Sequence, residues 1–362
     1  DGYIEAGETL TLNWNVADKT RVYARYDYIH PWGGAYGLGY GAPTGNFALG
    51  IDTQYMQDGS LYSEYRLRDA SAGREVQAAI GLRNGWMVGN GLRLLTNVES
   101  VKGVVGNSYA AGAGLEYTAS ELWKASGRLE WRQDPNNTNW LMTIAMARKL
   151  DRNWSWLLRD YASIVQPRNS LGLDNRQNRF QFGFAYRPVD KTRLDALGLY
   201  EYKSNDDRIS QLDYNAHILS LRANWHPSRP WWVTGRYAYK RVEEQLISNV
   251  PTSYQAQLIG GRVTYDITNQ WSIGALGGWL QGGNGARQYA YGLEVGYVIA
   301  DNLLATVGYN WQGFKDPDLT GGEYYNQGWV AALRYKFDES LFKGSDPGVN
   351  KTLSQAPSPT KP

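Results

Sequence analysis

The amino-acid sequence predicts an all-β fold: a transmembrane antiparallel up-and-down β-barrel of about 18–20 strands. Three observations carry this. Apolar and polar residues alternate with period two along segment after segment. The segments run to about ten to twelve residues, which a tilted strand needs to cross a bilayer and which is roughly twice the soluble average. An acidic turn followed at once by a large apolar residue keeps returning, as "KLDRNWSWLL" (149–158), "DITNQWSIGAL" from Asp266, "VIADNLLATVG" from Val298, "TASELWKASGRL" from Thr118 and "NVADKTRVYAR" from Asn15.

Taken in order, the first predicted strand covers 9–16, and the turn "ADK" leads to the second at 20–30. The long "PWGGAYGLGYGAPTGN" separates that from 46–56, and "QDGS" from 60–70. Strands at 75–86 and 91–102 flank "VGNG"; 108–118 and 123–133 flank "TASEL"; 139–149 and 154–165 flank "LDRN". After "PRNSLGLDNRQN" comes "RFQFGFAYRP" (179–188), with Phe180, Phe182, Phe184 and Tyr186 on one side and Gln181, Gly183, Ala185 and Arg187 on the other. "PVDK" leads to 192–204, then 213–226, "HPSRP" and 231–244. Next, 254–266 and 271–282 flank "DITNQ", and 287–299 ("QYAYGLEVGY", with Tyr289, Tyr291, Leu293, Val295 and Tyr297 together) and 302–313 flank "IADN". The loop "KDPDLTGGEYYNQ" precedes the last strand, 328–338, where Trp329, Ala331, Leu333, Tyr335 and Phe337 alternate with Arg334 and Lys336. Short turns interleaved with long Gly- and Asn-rich loops give a repeating hairpin unit and suggest a periplasmic and an extracellular rim.

Composition agrees. Over 362 residues the mean hydropathy is −0.53, and the 27 Tyr and 15 Trp far exceed the 7 Phe. Tyr and Trp join an apolar body to a polar tip, which suits a surface half in lipid and half in water. Trp123, Trp154, Trp231, Trp232 and Trp271, each opening a strand, are therefore the predicted membrane-interface anchors. No stretch reaches the roughly 18 apolar residues of a membrane-spanning helix. The absence of Cys excludes disulfides, thiolate zinc sites and a cysteine nucleophile. A net charge of +2 without a Lys/Arg run argues against a nucleic-acid partner. The chain begins at Asp1 without initiator Met or signal peptide, as expected of a mature or truncated product. A soluble sandwich or propeller also alternates. It would, however, need dense Val, Ile and Leu, where this apolar face is rich in Tyr, Ala and Gly and the opposite face in Arg and Glu.

With Phe182, Tyr291, Leu333 and Tyr335 assigned to lipid, the lumen is predicted to receive Arg66, Arg83, Arg93, Arg128, Glu130, Arg132, Arg236, Lys240, Arg262 and Arg334, with cations in excess of carboxylates. Such charges either bias a pore towards anions or form a lattice of Arg–carboxylate pairs that stiffens the wall. The three histidines, His30, His217 and His226, are too scattered for a metal or a triad, and His217 with Asp213 and Ser220 is predicted to face lipid. No enzyme activity, metal or other cofactor is expected. The stretch from Asp316 to Glu323 has oxygen ligands suited to calcium, but a solvated loop is the favoured reading.

"SEYRLRD…GREVQAAIGLRN" (63–84), "FAYRPVDKTRLDALGLYEYK" (184–203), "HPSRPWWVTGRYAYK" (226–240), "VGYNWQGFKDPDL" (307–319) and "ALRYKFDESLF" (332–342) resemble the C-terminal outer-membrane barrel of large, repeat-bearing proteobacterial surface proteins, autotransporter-like or porin-like. The resemblance implies a fold and a place, the outer membrane of a Gram-negative bacterium, more than an activity. Its implied partners are outer-membrane lipid and lipopolysaccharide, the barrel-assembly machinery that reads a last strand such as "WVAALRYKF", and an envelope secretion or surface-assembly component. The predicted layout is 1–19 as an N-terminal strand or lead-in, 20–338 as barrel and 339–362 as a flexible Pro/Ser-rich periplasmic tail. Nineteen strands is an odd number where bacterial barrels are even. Either a further strand precedes Asp1, or "TLTLNWNV" is not part of the wall. The functional expectation is a channel or export conduit with a basic-leaning lumen, or else a membrane anchor or assembly platform with the lumen plugged.

Overall fold

The computed structural model describes residues 7–29, 44–70, 73–104, 106–169, 172–188, 193–245, 251–283, 285–300, 303–314, 316, 319 and 327–335. These residues form strands and no helix: β1 Gly7–Ala17, β2 Thr20–Ile29, β3 Thr44–Met56, β4 Gly59–Ala70, β5 Gly73–Gly89, β6 Leu92–Gly103, β7 Asn107–Tyr117, β8 Trp123–Gln133, β9 Asn137–Lys149, β10 Trp154–Pro167, β11 Asn175–Tyr186, β12 Leu194–Asp207, β13 Leu212–Trp225, β14 Trp231–Gln245, β15 Pro251–Asp266, β16 Trp271–Gly282, β17 Arg287–Ala300, β18 Leu303–Gln312 and β19 Gly328–Tyr335. Each pairs antiparallel with the next in sequence, giving one up-and-down sheet.

Directly opposed residues share a face, so the ladders fix which side chains lie together. Tyr23, Glu64, Glu99, Arg132, Arg179, Lys203, Lys240, Arg262, Glu294 and Thr306 lie on one face from β2 to β18. The opposite face carries most of the exposed apolar residues, including Phe182 (40% exposed), Tyr291 (46%) and Leu333 (66%). The charged face is the less accessible, with Glu64 at 3% and Lys240 at 6%, and is therefore the concave, inner one. This inverts a soluble protein, whose apolar face would be the buried one.

Most strand bounds agree with the sequence pattern to within a few residues, with informative exceptions. β11 starts at Asn175 rather than 179, because the polar run "NRQN" finds ladder partners on both β10 and β12. The alternation of short and long connections is weaker than predicted. On the rim that carries the long connections 30–43 and 313–327, β4 joins β5 through only 71–72, and β12 joins β13 through 208–211. The reading in which "TLTLNWNV" lies outside the wall does not hold. β1 is laddered to β2 from Gly7↔Ile29 to Ala17↔Thr20 and keeps Leu10, Leu12 and Trp14 on the apolar face. No β1–β19 ladder is present among the described residues, and β1 is exposed on both faces from Leu10 to Ala17. With every ladder antiparallel, an odd strand count makes β1 and β19 run in the same direction. The tail 339–362, His30 and the side chains of Arg334 and Tyr335 lie outside the described residues.

The two faces should respond oppositely to charge. Leu293→Arg places a guanidinium in the apolar belt at a cost of about 2–4 kcal/mol, whereas Arg128→Leu removes one from the inner face. Heat-modifiable gel mobility of refolded barrel should fall sharply for the first variant and stay near wild type for the second; equal yields would refute the assignment of faces.

Candidate functional site

The inner wall of β2–β8 is a continuous network of hydroxyls, carboxylates and guanidiniums, built by a device that recurs along it. Tyr23 on β2 reaches across Gly50 on β3 and donates its hydroxyl to Glu64 on β4. Two strands on, Tyr62 reaches across Gly81 on β5 and donates to Glu99 on β6 at 2.6 Å. A Cβ at Gly50 would lie 2.5 Å from the Tyr23 ring, and one at Gly81 equally close to that of Tyr62. The glycines are therefore openings through which a long side chain passes over one strand to the next but one. Arg262 on β15 meets Glu294 on β17 in the same way across Gly274.

Glu99 is the hub. Arg66 donates to it at 2.6 Å and to Glu64 at 2.5 Å, and Arg132 donates to it at 3.5 Å. Arg132 also reaches Glu130 at 3.5 Å, and Arg128 donates to Glu130 at 2.6 Å and to Asn97 at 3.4 Å. The Arg83 guanidinium lies 4.0 Å from the Tyr62 ring centroid, a cation–π contact. Arg93 pairs with Asp58 at 3.4 Å near the opposite end of the wall from Glu75. Further round, Arg179 bridges to Glu201, and Lys240 pairs with Asp316 at 2.6 Å. Arg236 lies on the same face directly opposite Arg222, and the backbone of Arg334 is in register with Leu304 on that side. Every predicted lumen position thus lies on one face by register, and most of the charges there are bonded to opposite charges. The Tyr–Gly–Glu crossings were missed from sequence. Their signal is a glycine on the polar phase of a strand, opposed on both sides by long polar residues.

Four of the predicted interface tryptophans lie on the outer face at the rim of short turns, each against a tyrosine of the neighbouring strand: Trp123 on Tyr117 (4.2 Å between ring centroids), Trp154 on Tyr186 (4.8 Å), Trp231 on Tyr265 (4.8 Å) and Trp271 on Tyr297 (4.6 Å). Trp232 is a correction. Successive residues of a strand point to opposite faces, so the neighbour of Trp231 lies on the charged side, where its ring meets His226 edge-on at 4.2 Å. Burial pushes the imidazole of His226, in the turn 226–230, below its ordinary pKa, partly offset by Asp195. His217 lies on the outer face, with Nδ1 2.8 Å from the Tyr200 hydroxyl, while Ser220 lies on the other face.

Of the solvated loop predicted from Asp316 to Glu323, only Asp316 and Leu319 lie within the described residues, and both are packed on the wall. Phe314 and Leu319 are buried against the inner face of β13–β17, and Asp316 accepts from Lys240 and from the backbone N–H of Leu319. Among the described residues no group of three His, Asp or Glu is placed to hold a metal.

No protein-family model matches the chain, and no curated protein matches it in sequence. Solved structures do resemble it. The copper transporter OprC superposes with a TM-score of 0.50 at 12% identity, over 91% of this chain and 71% of that one. An anion-selective porin from Comamonas acidovorans covers 91% of this chain and 100% of its own at 12% identity, with a TM-score of 0.37. A bacterial polysaccharide outer membrane secretin covers 76% and 96% at 11% identity, with a TM-score of 0.39. At these identities the likeness is one of fold. The fold is that of the outer-membrane β-barrels of Gram-negative bacteria, and the exposed apolar belt belongs in the lipid of that membrane.

The glycine crossings make a direct test possible. Gly81→Ala drives a methyl group into the Tyr62 ring and should cost about 1–3 kcal/mol through the displaced Tyr62–Glu99 bond. A Cβ at Gly277, on the outer face, meets nothing within 4 Å. Urea unfolding in detergent should show a lowered midpoint for Gly81→Ala and none for Gly277→Ala; indistinguishable midpoints would remove the crossing from the account.

Proposed function

We propose that this outer-membrane barrel is a water-filled channel whose basic-leaning lumen weakly favours anions. The observation that carries the proposal is that charged side chains of the inner face keep their water: the Arg128 side chain is 54% exposed, and those of Arg93 and Arg132 are each 36% exposed. A wall of this many strands encloses more space than its own side chains fill, and a polar, solvated lining is what an aqueous lumen requires. The pairing pattern also sorts the cations. Arg66 is held by two carboxylates and adds little net field. Arg83, stacked on Tyr62, and Arg128, sharing Glu130 with Arg132, contribute more.

A second reading, an anchor with a plugged lumen, is supported by Phe314 and Leu319, which fill part of the inner face. The resemblance to C-terminal barrels of larger surface proteins supports an upstream or partner region that uses the barrel. Insertion by the barrel-assembly machinery and contact with lipopolysaccharide belong to either reading.

In planar bilayers under a potassium chloride gradient the barrel should give a reversal potential of anion-preferring sign that shrinks as salt rises, because a Debye length of about 10 Å at 0.1 M shortens with concentration. The double substitution Arg83→Gln and Arg128→Gln should move that potential towards zero. A cation-preferring pore, or a potential unmoved by the substitutions, would overturn the selectivity; a barrel without conductance would favour the anchor.

A further inference from the structure

Charged and polar side chains recur round the inner face, and in the sector of β13–β17 an aliphatic patch lies among them. Ile218 on β13, Ala238 on β14, Leu258 on β15 and Ala290 on β17 are buried together. Register puts all four on the same side as Lys240 and Arg262, so this apolar patch faces the lumen. A bare aliphatic patch on a wet wall is unfavourable in proportion to its area. Here the chain itself covers it. Phe314 and Leu319, just beyond β18, are 6% and 0% exposed against the patch. Between them Asp316 accepts a hydrogen bond from Lys240 Nζ at 2.6 Å and another from the Leu319 backbone N–H at 3.0 Å. Ile218, Ala238, Leu258 and Lys240 belong to strands that do not neighbour β18 in the sheet. To reach them, these residues leave the wall and lie across the inner surface of the adjoining strands.

We infer that Phe314, Asp316 and Leu319 anchor the start of the β18–β19 connection inside the barrel as a constriction element, which sets the conductance of the pore and neutralises its charge at Lys240. The inference rests on the channel reading for its effect on ions, though not for the anchoring. The two apolar side chains supply the attraction. Ala238 and Ala290, where longer residues would fill the space, leave room for them. The ion pair fixes the register of the segment on the wall, since Lys240 offers its charge at one height on β14 only. Breaking the anchor widens the lumen and at the same time uncovers a cation, so conductance and anion preference should rise together.

The test uses the full chain refolded into bilayers and vesicles. Phe314→Ser with Leu319→Ser, and separately Asp316→Lys, should raise single-channel conductance by about twofold, as expected when a pore-narrowing element is displaced. The exchange Lys240→Asp with Asp316→Lys should return it towards wild type, which a variant that merely misfolds cannot do. Because the chain has no cysteine, Leu319→Cys supplies a single thiol, and its labelling by a maleimide reports the anchor whether or not ions pass. Adding Asp316→Lys should speed that labelling about tenfold, the population shift that corresponds to about 1.4 kcal/mol. Fast labelling of Leu319→Cys alone, or conductance unchanged in both unanchored variants of a conducting barrel, would overturn the inference. Slow labelling that Asp316→Lys accelerates, in a barrel that never conducts, would keep the anchor and defeat the channel reading.

Discussion

A strand that crosses hydrocarbon has no water for its backbone, so each N–H and C=O must be satisfied sideways by a neighbouring strand. The rest of this structure depends on that requirement. It forces an up-and-down sheet in which each strand borders the next, and it leaves side chains only two directions, towards lipid or towards the interior. Once the outer residues are apolar, the register of the ladders is pinned, because a slip by one residue would carry Arg128 or Glu130 into lipid and Leu129 into the lumen. The same requirement makes the β1–β19 seam the place where the wall is incomplete among the described residues. The two strands run in the same direction, and closing them needs either a parallel ladder or one further strand antiparallel to both.

The inner face answers a different problem, the cost of holding charges in a confined and partly desolvated space. The solution is reciprocal satisfaction across strands. Glu99 collects Tyr62, Arg66 and Arg132, and glycines at intervening strands let side chains pass over the backbone without a clash. Removing a buried member such as Arg66 leaves Glu64 and Glu99 short of a partner, which costs more than the pair contributed while intact. The sector of β13–β17 adds to this scheme an aliphatic patch covered by Phe314 and Leu319, with the Lys240–Asp316 pair beside it and the Arg262–Glu294 pair between β15 and β17. The inner face therefore combines networks of paired charges with an aliphatic patch that the chain itself covers.

Strand number, direction and face were legible in the sequence because period-two alternation is a local signal repeated in nearly every strand. It placed Phe182 and Tyr291 opposite in sense to Arg66 and Arg262 without reference to any tertiary contact. What failed is instructive. Trp231 and Trp232 were assigned one role, although adjacent residues cannot share a face. The polar run "NRQN" (175–178) resembles the end of a loop, and only ladder partners on both β10 and β12 hold it as the start of β11. The stretch from Asp316 offered oxygen ligands for calcium or else a solvated loop, and only the fold brings Lys240, distant in sequence, to the Asp316 carboxylate. The Tyr–Gly–Glu crossings join strands two apart, a relation that no window on one strand displays.

The central claim is that one face of each strand meets water and the other meets lipid, and a thiol scan of β8 tests it most directly. With no native cysteine to interfere, single Cys substitutions at Arg128, Leu129, Glu130, Trp131 and Arg132 in lipid vesicles can be exposed to a charged, membrane-impermeant thiol reagent. The account predicts labelling at 128, 130 and 132 and protection at 129 and 131. Uniform labelling along the strand, or protection of the even positions as well, would contradict it.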